Sequence, residues 1–318
     1  MTATASRPAI HAVGLRKSYG TQVVLNGIDL DVPEGTVYAL LGPNGAGKTT
    51  TVHILSTLIA ADGGEVQVAG HDLGRDPDGV RAAIGVTGQF SAVDKFLTGQ
   101  ENLVLMADLR HLGKVEGRRR AAELLERFDL VEAARKPVST WSGGMARRLD
   151  LAMTLVGNPR IIFLDEPTAG LDPRSRRTMW QVIRDLVDGG VTIFLTTQYL
   201  EEADRLADRI AVLDDGRLVA EGTPSELKRR VGGGHIRLEF ADGAELEKAA
   251  GIFGGASRDD ESLALLVPSD GGVGSLRSVL DRLEEASIDV DGLSVRTPDL
   301  DDVFLSLTGH PDYRKGAA

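Results

Sequence analysis

The run Gly42-Pro43-Asn44-Gly45-Ala46-Gly47-Lys48-Thr49-Thr50 sets glycines, a lysine and two hydroxyls at the spacing G-x-x-x-x-G-K-[ST]. An apolar stretch, Val37 to Leu41, precedes it, and a helix-like stretch, Thr51 to Leu58, follows. Glycines at 42, 45 and 47 allow backbone N–H groups to turn inward, and the following helix start adds the positive end of its dipole. Such a loop cradles phosphates, with Lys48 reaching the outer ones and Thr49 offering a hydroxyl to Mg²⁺. The same turn can also serve structure alone. A second segment, Arg160-Ile161-Ile162-Phe163-Leu164-Asp165-Glu166-Pro167, reads as a buried parallel strand ending in two carboxylates. Carboxylates there are costly without a partner. Mg²⁺ would supply one for Asp165, while Glu166 would orient and polarise an attacking water. The alternative is an exposed acidic turn after a core strand. Between the two, Trp141-Ser142-Gly143-Gly144-Met145 opens an apolar helical face, with Ser142 as N-cap and the Gly143 and Gly144 amides directed at an anion. An ordinary capped helix would read the same way.

Taken in order, these segments resemble the ATP-binding subunit of an ABC transporter. The loop at 42–50, Gln89, Ser142-Gly143-Gly144, Asp165-Glu166, Ala169-Gly170-Leu171-Asp172 and the strand end at Gln198 fall where that family has its motifs. The resemblance covers residues 10–222. It implies an α/β fold, an ABC-type P-loop ATPase domain with a parallel RecA-like core, an antiparallel β layer and an inserted helical subdomain. It also implies ATP and Mg²⁺ as cofactors. Nucleotide contacts fall on Tyr19, which would stack on adenine, on Gly42, Pro43, Asn44, Gly45, Ala46, Gly47, Lys48, Thr49 and Thr50, and on Gln89, Ser142, Gly143, Gly144 and Asp172. Metal contacts fall on Thr49, Gln89 and Asp165, and catalysis on Glu166 and Gln198. In this family Ser142 and its glycines cap the γ-phosphate held by a second copy, so a head-to-tail homodimer is expected in the ATP-bound state.

Two positions depart from the common pattern. Met145 stands where a glutamine is usual, and Gln198 where most of the family has a histidine touching the γ-phosphate. The Gln198 amide can still donate a hydrogen bond but carries no charge and shuttles no proton; alternatively, it merely ends a core strand. Gln198, the Trp-Ser-Gly-Gly-Met form and the tail Thr297 to Gly309 resemble the daunorubicin/doxorubicin-resistance type of drug-exporter ATPases. That narrower resemblance implies export of a hydrophobic drug or lipid-like metabolite through a separate transmembrane permease subunit, with this chain on the cytoplasmic face of the membrane. A soluble ABC-type ATPase outside transport, or a weakly hydrolysing nucleotide-dependent regulator, is the alternative.

Around these motifs the chain supplies a scaffold. Ile10 to Tyr19, Val23 to Val32 and Glu65 to Ala69 read as an antiparallel layer. Glu101 to Leu112 and Arg118 to Leu130 have helical periodicity and lead to the Ser142 helix, giving a helical subdomain over about 92–157. Strand Ile161–Leu164, helix Pro173–Val187, strand Val191–Thr197 and helix Leu200–Ala207 then alternate as a parallel sheet demands. A hairpin around Asp215-Gly216 follows, and Gly232-Gly233-Gly234 reads as a linker. The expected domains are 1–230, nucleotide-binding, and 231–318, a small α+β accessory extension with strands at His235–Phe240 and Leu263–Val267 and a helix at Ser275–Ala286. In the closing segment Leu300, Val303, Phe304 and Leu307 share one helical face, packed either on its own domain or on a partner chain.

The whole chain has a formal charge of −11, and 231–318 holds 8 Lys and Arg against 17 Asp and Glu, so the acidity belongs to the tail. Such a surface disfavours nucleic acid as a partner. No apolar run approaches the roughly 20 residues of a membrane helix, and Met1 to Pro8 lacks a signal-peptide core, so a soluble chain is expected. Cysteine is absent, and the six histidines show no ligand spacing.

Overall fold

The buried strands are the ones with near-continuous apolar sequence, and they set the architecture. In the computed structural model, which describes residues 8–88, 92–230, 234–260, 262–296 and 298–308, the chain divides into two units, Met1–Thr223 and Pro224–Ala318.

In the first unit, β1 (Ile10–Tyr19), β2 (Gln22–Val32), β4 (Gly63–Val68) and β5 (His71–Asp72) form an antiparallel sheet in the order β2-β1-β4-β5. A six-stranded sheet has the order β10-β9-β3-β8-β7-β6, built from β3 (Val37–Leu41), β6 (Ile84–Thr87), β7 (Ile161–Asp165), β8 (Thr192–Thr197), β9 (Arg209–Asp214) and β10 (Arg217–Gly222). Its β6-β7-β8-β3-β9 ladder is parallel, and β10 closes it as an antiparallel hairpin partner of β9. Every residue of β3, β7 and β8 is buried, as expected of strands covered on both faces. Tyr38 stacks on Phe194 and Phe163 packs tilted against it, each with ring centroids 5.7 Å apart, and Leu15, Leu25 and Ile28 of the antiparallel layer join the same core.

Seven helices are described in this unit: α1 (Lys48–Leu55), α2 (Pro77–Ala83), α3 (Gly99–Leu109), α4 (Lys114–Arg127), α5 (Gly143–Thr154), α6 (Pro173–Asp188) and α7 (Leu200–Leu206). Helix α3 begins two residues before the apolar periodicity does. There Thr98 accepts from the Glu101 amide and the Glu101 carboxylate accepts from the Thr98 amide, a reciprocal cap. Helix α1 begins at Lys48 rather than Thr51, because the left-handed Gly47 turns the chain straight into it.

In the second unit, β11 (His235–Glu239), β12 (Ser257–Asp259), β13 (Ala264–Pro268) and β14 (Gly292–Arg296) make an antiparallel sheet in the order β12-β13-β11-β14. Its core joins Ile236, Leu238 and Leu265 to Leu246 and Phe253 around α9 (Gly243–Ile252) and to Val279 and Leu283 of α10 (Val273–Glu285). Helix α8 (Pro224–Arg230) packs with α11 (Leu300–Thr308). Leu300, Val303 and Phe304 are buried, while Leu307 is exposed. Of the triple-glycine linker, Gly232 and Gly233 lie outside the described residues. Among the described residues, no helix is long and apolar enough to cross a membrane.

Candidate nucleotide site

The parallel strands bring their C-terminal ends to one edge, the place where open α/β sheets bind ligands. Strand β3 ends at Leu41, and the Gly42 amide donates to the Thr197 carbonyl at 3.4 Å, pinning the loop to the end of β8. A Cβ at Gly42 would stand 2.3 Å from the Leu213 carbonyl oxygen, so only glycine fits. Gly47 has φ +109°, and a Cβ there would meet Leu25 at 2.7 Å and the Val24 carbonyl at 2.9 Å. No side chain caps the start of α1, leaving its first amides to an anion. Pro43, Asn44, Gly45 and Ala46 complete the turn, with Asn44 and Gly45 exposed and Ala46 buried, and Thr50 lies in the first turn of α1.

Lys48, 5% exposed, lies in the first turn of α1 and donates to the Gly42 and Pro43 carbonyls at 2.8 and 3.0 Å. Its Nζ is 3.8 Å from Glu166 Oε1. Burial pushes the Lys48 pKa down, and the Glu166 and Asp165 carboxylates oppose that shift. Thr49 Oγ1 donates to Asp165 Oδ2 at 2.9 Å, and Thr196 Oγ1 donates to Asp165 Oδ1. The structure therefore brings together Lys48, Thr49, Asp165 and Glu166, which are drawn from two segments more than 100 residues apart. Asp165 is 2% exposed, and its oxygens with the Thr49 hydroxyl are the hard donors that Mg²⁺ takes.

Glu166 follows β7 directly, with φ 47°, a left-handed conformation that costs a non-glycine residue about 1–3 kcal/mol. Its amide donates to the Thr196 carbonyl and hydroxyl at 3.1 and 3.2 Å, and its carbonyl accepts from Arg147 at 3.4 Å. Gln198 is half-buried between β8 and α7. Gln89 lies outside the described residues. Tyr19, 52% exposed, ends β1, with the Lys17 ammonium 5.5 Å from its ring centre. Ser142 caps α5 by accepting from the Met145 amide at 3.3 Å, and both Ser142 and Gly143 are exposed. Asp172 caps α6: it accepts from the Arg174 and Ser175 amides and, at 2.6 Å, from the Ser175 hydroxyl, which holds its carboxyl below the usual range.

Two residues at this site escaped the sequence reading. Arg147 was visible only as a charge beside Arg148 on a helix whose face is otherwise apolar, with Asp150 one turn on. Glu202 is the second of two acidic residues in the first turn of α7, where a carboxylate ordinarily faces solvent and is favoured by the helix dipole. It is fully buried instead, accepting from Thr168 Oγ1 at 2.7 Å and Trp180 Nε1 at 3.1 Å.

A phosphate loop at the end of β3 and a carboxylate pair at the end of β7, two strands away in a six-stranded sheet, define a nucleotide-hydrolysing cassette. The chain belongs to the ABC transporter ATP-binding family: the ABC transporter family profile matches residues 25–169, and the profile of the DrrA1-3-like ATP-binding protein C-terminal domain matches residues 222–308. It is 50% identical over 307 residues to a daunorubicin resistance ATP-binding protein of Streptomyces coeruleorubidus, covering 95% of each chain. It is 48% identical over 308 residues to the daunorubicin/doxorubicin resistance ATP-binding protein of Streptomyces peucetius, covering 95% of this chain and 93% of that one. Among solved structures, a dimeric ATP-binding cassette in a post-hydrolysis state with ADP and Pi is similar, with TM-score 0.61 and 28% identity over 67% of this chain and 98% of that chain. The fold is thus that of an ABC ATPase, and ATP is the nucleotide of the family.

Proposed function

We propose that this chain is the ATP-hydrolysing subunit that powers export of a hydrophobic drug or lipid-like metabolite through a separate membrane-spanning permease, working at the cytoplasmic face of the membrane. The first unit is the nucleotide-binding domain, with a helical subdomain over about 92–157, and the second is an accessory domain. The observation that carries the hydrolytic part is the meeting of Lys48, Thr49, Asp165 and Glu166 at one strand edge. The similarity to drug-resistance relatives along nearly the whole chain supports the export part.

In this reading the loop amides and the Lys48 ammonium bind the β- and γ-phosphates of ATP. Thr49, Asp165 and Gln89 hold Mg²⁺, which neutralises charge on the phosphates when bound. Glu166 orients the attacking water and accepts its proton, and Gln198 donates its amide to the γ-phosphate. Tyr19 stacks on adenine. Two copies pair head to tail with ATP, and the exposed Ser142 and Gly143 of one, with Gly144 beside them, close on the nucleotide of the other, with Asp172 nearby. Closing and reopening of that pair drives the permease.

The test uses membrane vesicles holding the chain and the permease that copurifies with it. Addition of MgATP should drive anthracycline transport in the export direction, and Lys48→Ala should abolish it. Equal transport by both proteins would sink the reading.

A further inference from the structure

Arg147 lies just over one turn into α5, and its guanidinium makes five hydrogen bonds, as many as it has N–H groups. Nε donates to the Pro167 carbonyl at 3.0 Å, and Nη2 donates to the Asp165 and Glu166 carbonyls at 3.2 and 3.4 Å. Nη1 donates to the Gly88 carbonyl at 3.2 Å and to Asp150 Oδ2 at 3.1 Å. Three consecutive carbonyls of the turn that carries Glu166 are therefore gathered by one planar cation. The other oxygen of Asp150 accepts from the Ala92 amide at 3.1 Å, so the Arg147–Asp150 pair also grips both flanks of the segment that contains Gln89.

Burial makes this arrangement consequential. The Arg147 and Asp150 side chains are 14% and 3% exposed, so their hydrogen bonds are little weakened by water. Carbonyl oxygens pointing together repel one another, and the left-handed Glu166 adds its own conformational cost. A charged donor opposite them offsets both. Thr196 holds the amide side of Glu166 and Arg147 the carbonyl side, so the residue is fixed at both of its peptide groups. A lysine has three donors on a single nitrogen and cannot span three carbonyls in the geometry of a guanidinium fork.

We propose that Arg147 is a positioning residue for hydrolysis: it sets the backbone of Glu166, and hence the direction of its carboxylate, from the same helix whose N-terminus carries Ser142. This rests on the assignment of Glu166 made above. Because α5 and the Glu166 turn are joined through one side chain, a tilt of the helix is transmitted to the carboxylate.

The experiment compares Arg147→Lys, Arg147→Gln and Glu166→Gln with the wild-type full chain, measuring kcat for phosphate release, affinity for a fluorescent ATP analogue and thermal stability. Misplacing a catalytic group by a fraction of an ångström to an ångström costs on the order of tenfold to a hundredfold, so both Arg147 variants should lose that much kcat while nucleotide affinity stays within about twofold. Wild-type kcat in folded Arg147→Lys would overturn the proposal, as would a loss that follows nucleotide affinity. If the Arg147 variants do not fold, Asp150→Asn decides: it keeps the shape and removes the charge that orients the guanidinium, so it should lower kcat at constant affinity, and an unchanged kcat would overturn the idea. Glu166→Gln separates the two claims. Should that variant turn over like wild type, the assignment of Glu166 fails; should it be inactive while Arg147→Lys is normal, the positioning claim alone fails.

Discussion

Replacing Glu202 by Gln should make the first unit less sensitive to rising pH. The Glu202 carboxyl is fully buried, and burial pushes its pKa above the ordinary 4.5, against the pull of the Thr197 and Thr168 hydroxyls, the Trp180 indole and the Arg176 guanidinium. From the ordinary value upward, the unfolded chain releases a proton that the folded chain keeps. The unfolded state then binds fewer protons, so stability is full below that value and falls as pH rises, until the folded carboxyl itself ionises. One proton of difference corresponds to about 1.4 kcal/mol per pH unit. In a unit of this size each kcal/mol moves Tm by about 2–4 °C, so wild type should lose about 3–6 °C per pH unit relative to Glu202→Gln inside that window. The amide can still accept from Thr168 and Trp180, which leaves the proton as the main change. Calorimetric scans of both proteins from about pH 5 to 8, without nucleotide, give the difference curve directly. Parallel Tm curves across that range would refute the reasoning, because they would mean that the buried carboxyl takes up no proton on folding.

Gly47→Ala places a Cβ 2.7 Å from Leu25 in a left-handed turn, and should cost about 2 kcal/mol or more with loss of ATP binding, read by thermal denaturation and nucleotide titration. Phe304→Ala empties a fully buried site and should cost the second unit about 3–5 kcal/mol; scanning calorimetry and nucleotide titration would show an earlier transition with ATP binding retained. Gln198→Ala should lower steady-state ATP hydrolysis by about tenfold if its amide touches the γ-phosphate, and an unchanged rate would reduce Gln198 to a strand-end residue.

The chemistry was legible where it is local. A glycine-spaced loop declares its own backbone requirement, and an apolar strand ending in Asp165-Glu166 declares a buried edge that needs a cation. The core strands followed from their continuous apolar runs. Short elements were harder: β6 has four residues and α2 has seven, too few for a period to register. Helix α8, also seven residues, buries Leu227 and packs with α11, some 70 positions later in the chain. Arg147 and Glu202 were missed for the same reason. Apart from Asp150, the partners of Arg147 lie 18 to 59 residues away and those of Glu202 22 to 34, and only the folded chain shows that a surface-type charge has been taken inside.

The central claim is that this site hydrolyses ATP with Glu166 as the water-orienting carboxylate. Steady-state phosphate release and ATP affinity, measured side by side for wild type and Glu166→Gln with Mg²⁺, test it most directly. The account predicts steady turnover by wild type, and in the variant an unchanged affinity with a rate lower by about a hundredfold or more. Turnover of Glu166→Gln at the wild-type rate would contradict it.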